Sequence, residues 1–323
     1  MKTIELYIAD LKSTVHEKRK RAINALIALK EKEAIKPLLV IANDRSVEIR
    51  YMVARAFGVF DDKILIDPLL KYLKDESPKV RHRAAMSLMN HRHEKIVQPL
   101  IDALSDADEN VRYWSAKALA KIGDEQAILK LRQSLSSPEW IVRKAASDAL
   151  IEIGPPALKY LYEILERSGE DARFWAVKTV GKIGDQSSTP VLMPFLADKN
   201  QDVQTAAVEA LGNISDSRAI NPLISLLQSD ENHLKHHIKE ALCKIGDKCI
   251  AHLIKVLSSS NWGARRTASL VLGDIGGRSI EFLMSELKKH KAAEAADAVT
   301  LNDDAVYWII EALGEIGDKV VTL

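Results

Sequence analysis

The chain has 323 residues, 47% hydrophobic and 28% charged, with 46 lysines and arginines against 45 aspartates and glutamates for a formal net charge of +1. This composition excludes a disordered chain, and the charge balance excludes a global field favouring polyanions or anionic membranes, so any electrostatic preference is local. The N-terminal MKTIELYIADLK lacks an apolar signal core, no apolar run approaches the roughly 18 residues of a membrane span, and Cys243 and Cys249 are too few for a disulfide framework; a cytoplasmic protein is expected.

From the N-terminus onward, one position recurs seven places before a large apolar helix residue. It is filled by Arg19, Arg50, Arg81, Arg112, Arg143, Arg173, Gln204, Lys235, Arg265 and Val306, at steps of 31, 31, 31, 31, 30, 31, 31, 30 and 41. So regular a period over the whole chain marks a stacked helical repeat rather than separate globular domains. The units run over 1–31, 32–62, 63–93, 94–124, 125–154, 155–185, 186–216, 217–247, 248–277 and 278–323, within a single domain.

Each unit predicts two helices. The first is an apolar run opened in several units by proline, at Pro37, Pro68, Pro99 and Pro222. In unit three, Ser77-Pro78 predicts an N-cap and first residue for the second helix. In unit four, Val111, Ser115, Ala118, Leu119 and Ile122 fall on one apolar stripe, with small residues allowing close helix approach. Gly123, Gly154, Gly184, Gly246, Gly276 and Gly317 share a column that suits a left-handed helix stop; unit three instead reads Asn90-His91-Arg92-His93 and unit seven has Ser215. In unit ten about ten extra residues, around 288–301, predict a prolonged first helix.

Val142-Arg143, Ala145-Ala146, Ala149-Leu150 and Ile153-Gly154 together resemble the HEAT-like repeat first associated with phycobilin lyases, and the resemblance covers essentially the whole chain. It implies an all-α, right-handed α-solenoid, an armadillo/HEAT-like superhelix of about ten two-helix repeats. Such arrays serve as scaffolds, adaptors, chromophore lyases and a few enzymes. Asp44, Asp75 and Asp106 precede Arg50, Arg81 and Arg112 by six residues each, so the arginine column can pair with a turn aspartate of its own or the adjacent unit. Forked pairs of that kind tie repeats together, which is a better reading of the column than a phosphate-binding stripe.

At about 100° per residue, positions one, five and nine after the ladder residue lie opposite the apolar stripe, with position two at the boundary. In solenoids of this type that surface lines the concave face. Position one carries Lys20, Tyr51, His82, Tyr113, Lys144, Phe174, Thr205, His236, Arg266 and Tyr307. Position five carries Arg55, Lys117 and Lys178, then Glu209, Glu240 and Glu311; position nine carries Lys121, Lys182 and Lys244, then Asp274 and Glu315. The face is basic and aromatic through its first two thirds and acidic towards its end. The tryptophans occupy two columns, Trp114, Trp175 and Trp308 two places after the ladder residue, Trp140 and Trp262 three places before it. They either pack between adjacent second helices or join a binding strip. The candidate partner-binding residues are Tyr51, Arg55, His82, Tyr113, Trp114, Lys117, Lys121, Lys144, Phe174, Trp175, Lys178, Lys182 and His236.

Two histidine clusters, His233 with His236 and His237, and His91 with His93, lack a recognisable metal-ligand set and are expected to be solvated. Deoxyhypusine hydroxylase, a related array, has iron sites built from His-Glu pairs just after the ladder position. Here those positions hold Tyr51-Met52, His82-Arg83, Tyr113-Trp114 and His236-His237, while His16-Glu17 and His93-Glu94 are out of register. No catalytic residue, metal or cofactor is expected. The leading expectation is a non-catalytic protein–protein interaction scaffold or adaptor that binds an acidic or amphipathic segment on the concave face, with no membrane partner. The resemblance to phycobilin lyases implies a second reading, a tetrapyrrole-handling subunit. A third is a nucleic-acid binder similar to the HEAT-like alkylpurine glycosylases, which the near-neutral charge disfavours.

Overall fold

The computed structural model describes residues 3–167, 169–228, 232–294 and 303–321, and no strand occurs among them. The chain is all-α, built of helix pairs. The second helices are His16–Leu29, Val47–Phe57, Pro78–Leu88, Glu109–Ile122, Trp140–Ile153, Glu170–Ile183, Gln201–Ile214, Lys235–Ile245, Trp262–Ile275 and Asp303–Val321. The chain divides into two compact units, Met1–Leu161 and Tyr162–Leu323, with the boundary inside the helix Leu158–Arg167. Within each unit every second helix packs against the next one.

The local sequence explains both ends of these helices. Glu109–Ile122 starts on Asp108, whose carboxylate accepts the N–H groups of Asn110 and Val111, and stops at Gly123 in the left-handed region at φ 54°. Gly154, Gly184, Gly246 and Gly276 also have positive φ. Ser215 takes the same conformation at φ 54°, and its hydroxyl donates to the carbonyls of Gly212 and Lys244 at 2.9 and 3.1 Å. Gly317 departs from the expected stop, because its helix continues to Val321. The aspartate after the stop is a start signal: Asp62, Asp185 and Asp216 each accept an N–H two residues on and open the 3-10 turn that leads into the next first helix.

Three further expectations are corrected. Pro37, Pro68, Pro99 and Pro222 do not open their helices but sit third in Ile35–Val40, Ile66–Tyr72, Val97–Asp102 and Ile220–Leu227, each entered through a 3-10 turn. There a missing N–H costs nothing, since first-turn donors have no intrahelical acceptor. Ser77 occupies the N-cap of its helix, but its side chain makes no capping bond; Asp75 accepts its N–H instead. His91 and His93 are not a solvated pair: His91 is buried with Nε2 3.1 Å from the Phe57 carbonyl oxygen, and His93 accepts the Lys95 N–H through Nδ1. The prolonged first helix of repeat ten runs Gly277–Glu294, and the remainder of the extra segment, 295–301, lies outside the described residues.

Val111, Ser115, Ala118 and Leu119 are fully buried, as the stripe requires, while Ile122 at its end is only half-buried. The second helices approach so closely that a Cβ built on Gly58, Gly181 or Gly212 would lie within 2.3 to 2.6 Å of Ser87, Ala210 or Ala241 on the next helix.

The ladder is a relay between repeats. Arg50 donates from Nε and Nη2 to both oxygens of Asp75 at 2.7 and 3.0 Å, and from Nη1 to the carbonyls of Asp44 and Arg45 in its own turn. Arg81 repeats the pattern with Asp106 at 2.7 and 2.8 Å, and Arg173 reaches Asp198 at 3.2 and 3.4 Å. Each aspartate also accepts an N–H two residues on in its own chain, Asp75 from Ser77, Asp106 from Asp108 and Asp198 from Asn200. One carboxylate thus shapes a turn and clamps the preceding repeat.

These pairs make stability depend on acid. Burial alone would raise the Asp106 carboxyl, but the Arg81 guanidinium and the Asp108 N–H outweigh it and hold the group below the usual aspartate range. Hydrogen bonding to Arg218 likewise holds buried Asp216 down to about 2. A depressed carboxyl stabilises the fold fully above its unfolded value and loses that contribution as pH falls towards the folded one. The thermal midpoint should be flat from pH 7 to 5 and drop below about pH 4, with a shallower drop in Asp106→Asn. An identical acid limb in wild type and variant, followed by circular dichroism, would show that the pair carries no pH dependence.

Candidate protein-interaction face

In the unit Met1–Leu161, the second helices present two aromatic clusters. Tyr51 is half-buried against His82, their rings edge to face at 6.2 Å, and Arg83 donates to the Tyr51 hydroxyl at 2.6 Å with its guanidinium 4.9 Å from the ring centre. Burial, then the Arg83 charge, lowers the His82 pKa, so this imidazole adds no positive charge at neutral pH. Tyr113 is 51% exposed and packs edge to face on half-buried Trp114 at 5.2 Å, with the Lys117 ammonium 5.7 Å from its centre.

The lysines there are not equivalent. Lys117 pairs with Glu152 of the next repeat at 2.9 Å, which raises its pKa, and Lys144 pairs with Asp148 at 2.9 Å. Lys121 donates to the Asn90 side chain at 3.0 Å, a neutral partner that leaves its charge uncompensated, and Arg55 is exposed. Position nine therefore bridges neighbouring repeats as well as facing solvent.

In the unit Tyr162–Leu323, Phe174 and Trp175 meet edge to face at 5.8 Å, and Lys178 lies 5.2 and 5.9 Å from their ring centres. Lys182 is exposed, and neither lysine forms an ion pair among the described residues. His236 stands apart from this cluster, exposed, edge to face with His237 at 5.7 Å and 3.2 Å from Glu240. No group of three or more His, Cys, Asp or Glu among the described residues is placed to hold a metal. Cys249 is buried, and that burial pushes its thiol up to about 12, which fits a packing residue.

Trp140 and Trp262, absent from the candidate set, are 62% and 57% exposed. Each opens a second helix and lines a cleft, of about 330 Å³ beside Tyr113 and Lys144 and of about 470 Å³ beside Arg266, Tyr307 and Trp308. The sequence carried the signal, since three before and one after the ladder residue are four apart and share a helix face. Trp308 shares a column with Trp114 and Trp175 but is only 8% exposed, packed by Trp262 at 6.0 Å.

Helix pairs stacked in register, clamped by an arginine–aspartate ladder and presenting aromatic and charged side chains from their second helices, define an α-solenoid. The chain belongs to the HEAT repeat family: the profile of HEAT repeats matches residues 66–151 and 158–243. Among solved structures it is similar to the karyopherin Kap121p bound to the extreme C-terminus of the protein phosphatase Cdc14p, with a TM-score of 0.62 and 14% identity over 97% of this chain and 41% of that one. Kap95p, in a structure concerned with its binding of RanGDP, gives 0.52 and 13% identity over 97% of this chain and 51% of that one. Human deoxyhypusine hydroxylase in complex with glycerol gives 0.34 and 22% identity over 75% of this chain and 95% of that one. The likenesses to Kap121p and Kap95p show the fold. No curated protein matches the chain at a significant level, and no helix among the described residues is long and apolar enough to cross a membrane.

Proposed function

We propose that the chain is a non-catalytic scaffold that binds an acidic or amphipathic segment of a partner protein on the face formed by its second helices, in the cytoplasm. The observation that carries this reading is the repeated pairing of aromatic rings with cations that no carboxylate among the described residues neutralises, Tyr51 with Arg83 and Phe174 and Trp175 with Lys178. Rigid rings supply contact area at low entropic cost, and an uncompensated cation beside them selects for negative charge. Kap121p, of the same fold, is bound to a terminus of another protein. The histidine, lysine and arginine side chains of the candidate set would then form the rim and the tyrosine, phenylalanine and tryptophan rings the anchors.

The test reverses charge at Lys117, Lys121, Lys178 and Lys182 by substitution with glutamate. The variant should keep its helical circular dichroism and should associate with the captured partner about tenfold or more slowly, with a weaker dependence on salt. A folded variant that captures every wild-type partner at the wild-type rate would remove this face from consideration. The resemblance to the phycobilin lyase type of repeat supports a second reading, in which Phe174 and Trp175 stack on a tetrapyrrole and Lys178 meets a propionate. A bilin absorbance titration of the same variant tests it, and an oligonucleotide mobility assay tests the nucleic-acid reading.

A further inference from the structure

The ladder lacks its aspartate at several rungs: 25 residues on from Arg112, Arg143, Lys235 and Arg265 stand Ser137, Ser168, Ser260 and His290, and of these basic residues Arg112 is the one that lines a cleft with exposed rings on both neighbouring second helices of the unit Met1–Leu161. Arg50 and Arg81 each use one guanidinium nitrogen, Nη1, on the carbonyls of their own turn and the opposite edge, Nε and Nη2, on the aspartate 25 residues on. Arg112 makes the first set of bonds in the same way, donating from Nη1 to the carbonyls of Asp106 and Ala107 at 2.6 and 2.9 Å. Its position 25 residues on is Ser137, not aspartate. Among the described residues no carboxylate forms an ion pair with Arg112. At Arg112 the receptor is kept and its internal ligand is gone.

The turn at Ser137 is otherwise the ladder turn. Ser137 accepts the N–H of Glu139 through its hydroxyl at 3.2 Å, as Asp106 accepts that of Asp108, and its carbonyl takes Nη1 of Arg143 at 2.6 Å. The cleft of about 330 Å³ between the second helices of repeats four and five has Arg112 in its wall, with the exposed rings of Tyr113 and Trp140 beside it. Lys144, Asp148 and Glu109 also line it, Lys144 held by Asp148. One unmatched guanidinium edge, two exposed rings and the lining carboxylates of Glu109 and Asp148 favour a single carboxylate flanked by apolar side chains over a run of acidic residues.

We propose that Arg112 is the receptor for one aspartate or glutamate side chain of a partner segment, which completes the fork that Asp75 and Asp106 complete for Arg50 and Arg81, while Tyr113 and Trp140 grip the apolar residues beside it. The inference rests on the scaffold reading above and names the chemistry of its partner within the unit Met1–Leu161.

A random heptapeptide library displayed on phage, panned on the full chain, supplies the probe, and the most enriched peptide is then measured by fluorescence anisotropy. Enriched sequences should carry one Asp or Glu beside an aromatic or aliphatic residue. Ser137→Asp should rebuild the internal fork, raise the thermal midpoint, and weaken the peptide at least tenfold by filling its seat. Arg112→Lys, which keeps charge and loses the fork, should weaken it comparably without the gain in midpoint. The inference is overturned if Ser137→Asp binds the peptide as tightly as wild type, if its midpoint does not rise, or if enriched peptides lack a carboxylate. Loss of an oligodeoxythymidine instead of a peptide on Ser137→Asp would also overturn it. Weakening by the four lysine reversals without weakening by Ser137→Asp would leave the scaffold reading standing and this seat wrong, whereas a library that yields no binder fails both.

Discussion

Arg50→Ala should lower the stability of the fold by about 3–5 kcal/mol, the cost of breaking a buried, hydrogen-bonded ion pair from one side. Arg50 is 8% exposed, and the side chain of Asp75 is as well shielded at 9%. Truncation strands the Asp75 carboxylate, releases Glu76 at 2.8 Å, and leaves the carbonyls of Asp44 and Arg45 without their donor. The Ser77 N–H is the one bond to Asp75 that survives from its own turn, which is too little to solvate a buried charge. Arg50→Lys should recover only a minor part, since an ammonium cannot span both carboxylate oxygens and two carbonyls together. Because repeat arrays unfold through neighbouring interfaces, the loss should appear in urea unfolding and, by hydrogen exchange, first in repeats two and three. A loss below about 1 kcal/mol would place this pair among surface salt bridges.

Gly181→Val should be damaging for the opposite reason, an excess of atoms. Glycine inside a helix costs roughly 1 kcal/mol relative to alanine, so its place in Glu170–Ile183 needs a packing reason. An added Cβ would lie 2.3 Å from Cβ and 2.4 Å from Cα of Ala210, and the second of these is backbone. No rotamer relieves a clash with a main-chain atom, so the helices Glu170–Ile183 and Gln201–Ile214 must separate and reopen their interface. A loss of about 3 kcal/mol, at the upper end for overpacking, is expected in urea unfolding. Ala210→Gly in the same chain should restore less than half, because the clash with the main chain at that position remains. Full restoration would show that the side-chain methyl alone sets the spacing.

Much of the fold was legible because it is periodic along a single helix. The column from Arg19 to Arg265, the stripe through Val111 and Leu119, and the stops at Gly123 and Gly184 each follow from spacing or local backbone freedom. Of the candidate face, spacing reveals the columns and therefore which residues share a side. It could not reveal partners on other helices. Lys117 is matched by Glu152, 35 residues on, and Lys121 by Asn90, 31 residues back.

The same limit explains the ladder and the tryptophans. Spacing left the arginine two aspartates to choose from, its own turn's and the next repeat's, and stacking assigns the carboxylate to the next repeat and the carbonyls to its own. Trp114 and Trp308 hold one register position, yet Trp308 is buried under Trp262 while Trp114 keeps a half-exposed edge beside Tyr113. Residue order fixes the angle at which a side chain leaves its own helix. What it meets there depends on the identity and distance of the neighbouring helix, which only the packed stack decides.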